Sequence, residues 1–531
     1  MHNQAEAHYN RLLRRADWRF LLGNPWPKKS ICFSGGLLAQ AVQAVSSEYI
    51  PDGKGSPGDC DLVVAINPSL TDLQNVWKTL ISGGSFYSEW YSPLAGGALG
   101  IRKRLEAAGF TDVVCYWPWP IPAFSPALFW LPLEAPQVIH YFLSSRPLPA
   151  NLLRRFGSSV MQILWRFLLN TNLLVPVCVT ARKADKIVGN VSTTDLEEHT
   201  FMNWYDDTSS DPPTRFDILM WTGGKRSINK VILYLFAVGA EKPQRIVKLP
   251  RTTDAVPSLT HEAHILQALQ ARKSNAATGI PVVLFLHELN GWVALGETAV
   301  FGQPLYTVLD SQNAQSLAIK VTEWLVHLVV DGPPAPRSDW WNQLVEPTLH
   351  DFEQAFDPVL DGFVVPKCRE ILDRLGDLPQ AFEHRDCSPW NILVTSSGEL
   401  AVLDWESADQ NGLPALDLTY FLAYLSFFLD GAMKNGNYIE SCHRASDPET
   451  FIGHLQAACL QRYIQSTGLD PVALHPLRLL TWLIHARSEA RHMSADAGGS
   501  PPPAALRRSL FYNLVLEELA QERARVEIGI S

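Results

Sequence analysis

A chain of 531 residues that is 47% hydrophobic and 18% charged is globular, and it is too long for one ordinary core, so two or three domains are expected. A formal net charge of -10 excludes the basic face that a nucleic-acid partner requires. Eight cysteines, at positions 32, 60, 115, 178, 368, 387, 442 and 459, make no CxxC pair, which points to a reduced, cytoplasmic protein rather than a disulfide scaffold.

The N-terminal stretch carries charges throughout and has no apolar core of a secretory signal. A helix is expected from Tyr9 to Leu22, stopped by Pro25 and Pro27. Ile31-Cys32-Phe33-Ser34-Gly35-Gly36 and the apolar run after it predict a strand, a glycine turn and a helix. Cys60 to Ile66 predicts a strand ending at Asn67-Pro68, followed by a helix from about Leu70 to Ile81 and the Gly83-Gly84 turn. A helix from Gly100 to Ala108 and a strand opening at Phe110 continue an alternation that implies an α/β sheet. Tyr116, Trp117 and Trp119 read as rings filling an edge. The apolar window Gln162 to Thr180 is broken by Arg166, Asn170 and Asn172, so it predicts a core helix and strand, not a membrane span.

The run from Asp61 to Trp90, with Leu105-Glu-Ala-Ala-Gly109-Phe110 after it, resembles the second half of S-adenosylmethionine-dependent methyltransferases, with Leu174 to Arg182 as the closing strand. That resemblance implies a glycine-rich cofactor turn and an acidic residue ending a second strand. Between Ser46 and Asp61 there is room only for a short loop rich in Gly, Pro and Asp. The expectation for residues 1–184 is therefore a degenerate methyltransferase-like α/β domain that binds no cofactor. The polar, acidic residues 185–214 read as a linker.

From Phe216 the pattern changes. Ile218 to Trp221 and Asn229 to Phe236 flank a turn containing Gly223 and Gly224, a hairpin whose tip can bring backbone N–H groups close to an anion. Lys248 lies inside the apolar strand Arg245 to Leu249, where a charge needs a partner. A helix from Ser258 to Gln270 carries Glu262, the expected partner of Lys248. Glu297 to Val300 falls after two more strands, and a helix from Gln315 to Val330 shows an apolar stripe of core residues.

The chemistry concentrates between Phe382 and Leu422. Asp386 follows His384 and Arg385, Asn391 comes five residues later, and Asp404 ends the run Leu400-Ala-Val-Leu. Asn391 to Val394 and Leu400 to Leu403 predict a hairpin around Ser396-Ser397-Gly398 that brings Asn391 and Asp404 together. Moving a γ-phosphoryl group from ATP to a hydroxyl needs a carboxylate to accept the hydroxyl proton and hard oxygen ligands to hold Mg²⁺. Asp386 fits the first role; Asn391 and Asp404 fit the second.

This segment resembles the aminoglycoside phosphotransferase and choline kinase group, through His384-Arg385-Asp386, Asn391, Asp404-Trp405-Glu406 and Asp417-Leu418. Arg385 stands where the group more often has Gly, and Trp405-Glu406 replaces the Phe-Gly of protein kinases, which favours a small-molecule kinase. The resemblance implies an α+β protein-kinase-like bilobal domain over 215–531, with the small lobe at about 215–300 and the large lobe at about 301–531. It implies ATP and Mg²⁺ as cofactors. Lys248 and Glu262 would be the nucleotide ion pair, Gly223 and Gly224 the phosphate turn, and Glu297 the start of the adenine-reading hinge. Asp417 would brace the catalytic loop and His384 would orient Asp386. The acceptor would be a small hydroxyl compound of aminoglycoside, sugar or amino alcohol type, with no nucleic-acid or membrane partner. Two other readings stay open: a nucleotide-binding scaffold without chemistry, and a bifunctional methyltransferase and kinase.

Overall fold

The computed structural model describes residues 2–527 apart from 23, 52–54, 93–95, 124, 145–175, 185–215, 225–228, 273–277, 290 and 498. The expected linker 185–214, most of the apolar window before Val177, and the hairpin tip at Lys225 to Ser227 lie outside these residues. The chain divides into two compact units, Met1–Thr260 with Val283–Ala299, and His261–Val282 with Val300–Ser531.

In the first unit one sheet of twelve strands runs through the whole body. Its strands are β1 (Lys29–Cys32), β2 (Glu48–Ile50), β3 (Cys60–Ile66), β4 (Leu80–Trp90), β5 (Phe110–Trp119), β6 (Phe129–Pro132), β7 (Val177–Lys183), β8 (Phe216–Trp221), β9 (Lys230–Ala237), β10 (Arg245–Pro250), β11 (Val283–Leu289) and β12 (Trp292–Thr298). Their spatial order is β11-β12-β10-β9-β8-β6-β5-β7-β4-β3-β1-β2. The strands β2, β1, β3 and β4 are parallel, and β7 enters antiparallel between β4 and β5.

Parallel strands need both faces covered, and the continuous apolar run of β3 meets that need. Leu62 and Val64 pack with Trp18, Phe20, Leu38 and Val42 on one face. Val63 and Ala65 pack with Leu73, Val76, Ile101 and Leu105 on the other. The helix Leu70–Thr79 starts on a capping box, in which Ser69 and Asp72 satisfy each other's backbone N–H groups.

Three expectations about this unit change. The short stretch after Ser46 does hold a second strand, because Glu48-Tyr49-Ile50 pairs in parallel with Lys29-Ser30-Ile31 at the sheet edge. The strands from Phe216 onward group with the N-terminal sheet instead of forming a separate body. Phe129 pairs with Trp221 and Trp130 with Met220, so β6 occupies the edge that β8 would otherwise expose. The helix from Tyr9 also ends earlier than expected: it spans His2–Arg15, and a 3₁₀ turn, Asp17–Leu21, follows.

The second unit is mainly helical. Its small sheets are β13 (Gln303–Pro304), β15 (Ile392–Val394) and β16 (Leu400–Val402) in one, and β14 (Ala381–Glu383) with β17 (Asp409–Gly412) in the other. Val402 donates its N–H to the Gly279 carbonyl at 2.7 Å, and the left-handed φ of +79° at Gly279 allows that close approach. Long helices, Leu416–Leu429, Phe451–Thr467, Leu474–Ala497 and Leu510–Glu527, supply most of the apolar packing. The last helical stretch is two pieces, Pro503–Leu506 and Leu510–Glu527. No helix among the described residues is long and apolar enough to cross a membrane.

An ion pair with a buried carboxylate fastens two of these helices. Arg478 donates from Nε and Nη2 to Glu518 at 2.6 and 2.9 Å. Burial raises the Glu518 carboxyl, but Arg478 and His475 outweigh it and hold the group at about 2. A depressed carboxylate contributes stability that is present above its unfolded value of 4.5 and lost as pH falls towards 2. Acid titration of the unfolding midpoint should therefore show a loss on the order of 3 kcal/mol across that window. Glu518→Gln should lower stability at neutral pH and flatten the acid limb; an unchanged limb would show that other groups govern it.

Candidate active site

The loop of His384 to Asp386 is held by the carboxylate of Asp417, at the start of the helix Leu416–Leu429. Asp417 is buried, and it accepts the backbone N–H of His384 at 2.5 Å and of Arg385 at 2.8 Å. Burial pushes its carboxyl up to about 6, against the two N–H bonds and Arg385. Arg385 has φ +63°, the left-handed region where Gly is favoured, which explains why the resembling family more often has Gly there. Its side chain bridges Glu383 at 3.2 Å and Asp409 at 2.8 Å, across the β14–β17 pair.

His384 is fully buried, and burial lowers its pKa to about 4, so the ring is neutral. Its Nε2 faces the Leu403 carbonyl at 2.8 Å, which makes Nε2 the protonated nitrogen and leaves Nδ1 to accept the Asp386 N–H at 3.3 Å. The imidazole thus connects the loop of Asp386 to the strand end before Asp404.

Asp386 accepts from Asn391 Nδ2 at 2.8 Å and from the Tyr420 hydroxyl at 3.3 Å. Burial, then the charge of Asp404, push its carboxyl up to about 7. The expected hairpin is present: Ile392 pairs with Val402 and Val394 with Leu400, and Leu403 donates its N–H to the Asn391 carbonyl at 2.9 Å. Asp404 has φ +66°. Non-glycine residues in that region are uncommon and gather at functional sites, and Arg385, Asp404 and Ala415 all fall within this one segment.

The donor set suits Mg²⁺. Asn391 uses its amide nitrogen on Asp386, and its Oδ1 together with the Asp404 carboxylate would supply the hard oxygens such an ion takes. Mg²⁺ commonly takes one or two protein oxygens and fills the rest with phosphates and water. A divalent cation would also relieve the repulsion that raises Asp386.

Glu262 lies in the second unit, fully buried, and its Oε1 accepts the Trp405 N–H at 3.2 Å. It therefore braces the residue next to Asp404. In the first unit, Lys248 Nζ binds Glu297 Oε1 at 3.1 Å, with both side chains buried. Sequence spacing points to Glu262 as the partner of Lys248 and to Glu297 through Val300 as the hinge; β12 ends at Thr298, and in its antiparallel register Lys248 and Glu297 fall on neighbouring strands. Gly223 and Gly224 stand between β8 and β9; Gly224 has φ +75°, and a Cβ there would lie 2.1 Å from Asn229.

Residues 234–448 match the sequence profile of the phosphotransferase enzyme family, APH. This region is a phosphotransferase-family domain. The match takes in the second half of β9, β10 and the whole segment from His384 through Asp417. Among solved structures the chain is similar to the gentamicin complex of the aminoglycoside phosphotransferase APH(2")-IIa, at 13% identity, covering 63% of this chain and 97% of that one with a TM-score of 0.34. It is also similar to aminoglycoside-3'-phosphotransferase of type VIII, at 17% identity, 51% and 91% coverage and a TM-score of 0.30. A third is a Plasmodium vivax ethanolamine kinase, at 11% identity, 58% and 81% coverage and a TM-score of 0.36. No curated protein sequence matches.

Sequence reasoning missed Tyr420 in the phosphotransferase-family domain. Its hydroxyl is kept protonated by burial, and it lies one helical turn beyond Asp417, a spacing that could have flagged it.

Proposed function

We propose that the protein is an ATP- and Mg²⁺-dependent phosphotransferase that transfers the γ-phosphoryl group to a hydroxyl of a small molecule. The carrying observation is the Asp386–Asn391 hydrogen bond at the mouth of the hairpin that also presents Asp404. Asp386 accepts the acceptor's proton, Asn391 and Asp404 hold Mg²⁺, Gly223, Gly224 and Lys248 contact the phosphates, Glu297 supports Lys248, Glu262 braces the Trp405 backbone beside Asp404, and the backbone after Glu297 reads adenine. Incubating the full chain with ATP, Mg²⁺ and a panel of small alcohols should give acceptor-dependent ADP. Tight Mg-ATP binding with no turnover on any acceptor or water would favour a non-catalytic scaffold.

The surroundings of Asp386 bear on the acceptor. Tyr420 is stacked on His485 at 4.0 Å, and Trp390, one residue before Asn391, stands edge-on to Tyr424 at 4.8 Å. These rings suit an acceptor alcohol with a ring or apolar body, within the aminoglycoside, sugar or amino alcohol classes. Trp390→Ala should raise the acceptor KM about tenfold, the 1–2 kcal/mol of a lost aromatic contact, with Mg-ATP affinity within twofold. Equal effects on both ligands would remove Trp390 from the acceptor side.

For residues 1–184 the reading is a cut-down methyltransferase-like sheet that supports the kinase strands. The parallel β1, β3 and β4 and the reversed β7, the expected closing strand, support it. Calorimetry with adenosylmethionine tests it; micromolar binding would favour the bifunctional alternative.

A further inference from the structure

Asp17 and Arg251 have no part in the kinase motifs, yet they form the most deeply buried ion pair in the first unit. Arg251 Nε and Nη2 donate to Asp17 Oδ1 and Oδ2, each at 3.0 Å, and both side chains are 0% exposed. The partners are 234 residues apart in sequence. Arg19 closes the site by donating Nη2 to the Arg251 carbonyl at 2.7 Å. Arg251 also reaches the Gly223 carbonyl with Nη2, at 3.2 Å.

Arg251 directly follows β10, the strand of Lys248, and Gly223 opens the turn between β8 and β9. The residue before Gly223 is held from the N-terminal region too. Thr222 donates its N–H to the Leu128 carbonyl at 2.8 Å and its hydroxyl to the Ala127 carbonyl at 3.0 Å, and it is fully buried. The stem of the glycine turn and the exit of the lysine strand are therefore tied to two segments that precede the family domain.

Burying two charges completely is costly, and a well-packed apolar pair would hold the fold as well or better. What an apolar pair cannot supply is direction: the Arg251 fork satisfies a carboxylate and a backbone carbonyl at fixed angles. We propose that Asp17 is a positioning residue for nucleotide binding, which acts through Arg251 to fix the Gly223 carbonyl and the end of the Lys248 strand. The N-terminal region is then a built-in part of the nucleotide half, without touching the nucleotide. This rests on the reading of Gly223, Gly224 and Lys248 as phosphate contacts.

The test uses the full chain, with Mg-ADP as probe, by calorimetry well below the unfolding midpoint of each variant. Asp17→Asn removes the charge and one acceptor, and Arg251→Lys keeps the charge but loses the fork to Gly223. Both should raise the Kd for Mg-ADP at least tenfold in the folded protein, with Arg251→Lys doing so at the smaller loss of midpoint. A lowered midpoint with unchanged Kd in either variant makes the pair merely structural and overturns the proposal. If neither variant folds, amide exchange of the unmodified chain decides. Mg-ADP should slow exchange at residues 16–22 together with 222–224 and 248–251, and protection at the latter two without the first overturns it. A wild-type chain that binds no Mg-ADP sinks the phosphate-contact reading itself; wild-type binding with unshifted variants sinks only the role of Asp17.

Discussion

Asp386→Ala is expected to lower phosphoryl transfer by about 10³-fold or more while leaving Mg-ATP affinity within a few-fold of wild type. The asymmetry follows from geometry. Asp386 receives Asn391 and Tyr420 on its carboxylate and sits at the loop end, where an acceptor hydroxyl would approach, whereas on the proposed reading the nucleotide would be held through Mg²⁺ on Asn391 and Asp404. Removing Asp386 deletes the proton acceptor and also removes a repulsion on Asp404, so metal binding need not suffer. Asp404→Ala should instead weaken Mg-nucleotide affinity and activity together, because it removes the metal's charged ligand. Isothermal titration with Mg-ADP and steady-state rates on the same preparations separate the two. Equal losses of nucleotide affinity would show that the two carboxylates have been assigned to the wrong roles.

The second large effect is expected at Asp417, where the damage falls on the loop itself. Asp417→Ala leaves the buried N–H groups of His384 and Arg385 without their acceptor, and each unsatisfied donor costs about 1–3 kcal/mol. The left-handed Arg385 also loses the bond that holds it, so relaxation of that residue would carry Asp386 away. A destabilisation on the order of 2–6 kcal/mol should appear in urea unfolding, with activity falling further than the unfolded fraction explains. Wild-type stability in Asp417→Ala would mean that solvent replaces the carboxylate, and the brace would lose its support.

The hairpin between Asn391 and Asp404 was legible in the sequence because its signals are local. Asp386, Asn391 and Asp404 stand at fixed offsets on a loop and a tight hairpin, and Gly398, at φ +78°, closes that hairpin as composition demands. The β8–β9 hairpin and the α/β alternation before it were legible for the same reason: strand, turn and helix signals each span only a few residues. Partnerships across the sheet were not. Lys248 has Glu297 beside it because β12, 49 residues on, is the neighbouring strand, and helix spacing toward Glu262 says nothing about strand order. The joining of β6 to β8 was hidden likewise. An acidic linker reads as a boundary, while the register of Phe129 with Trp221 depends on two edges meeting in space.

Asp17 and Arg251 are the extreme case. Each is an ordinary charge in an ordinary stretch, and nothing within ten residues of either marks it as buried. Local pattern determined which residues could handle a phosphoryl group and how each short element would form. Only the tertiary structure decided which charges face one another and which strands share one sheet, because those depend on long-range burial, and every polar group taken from water must find its partner wherever the chain brings one.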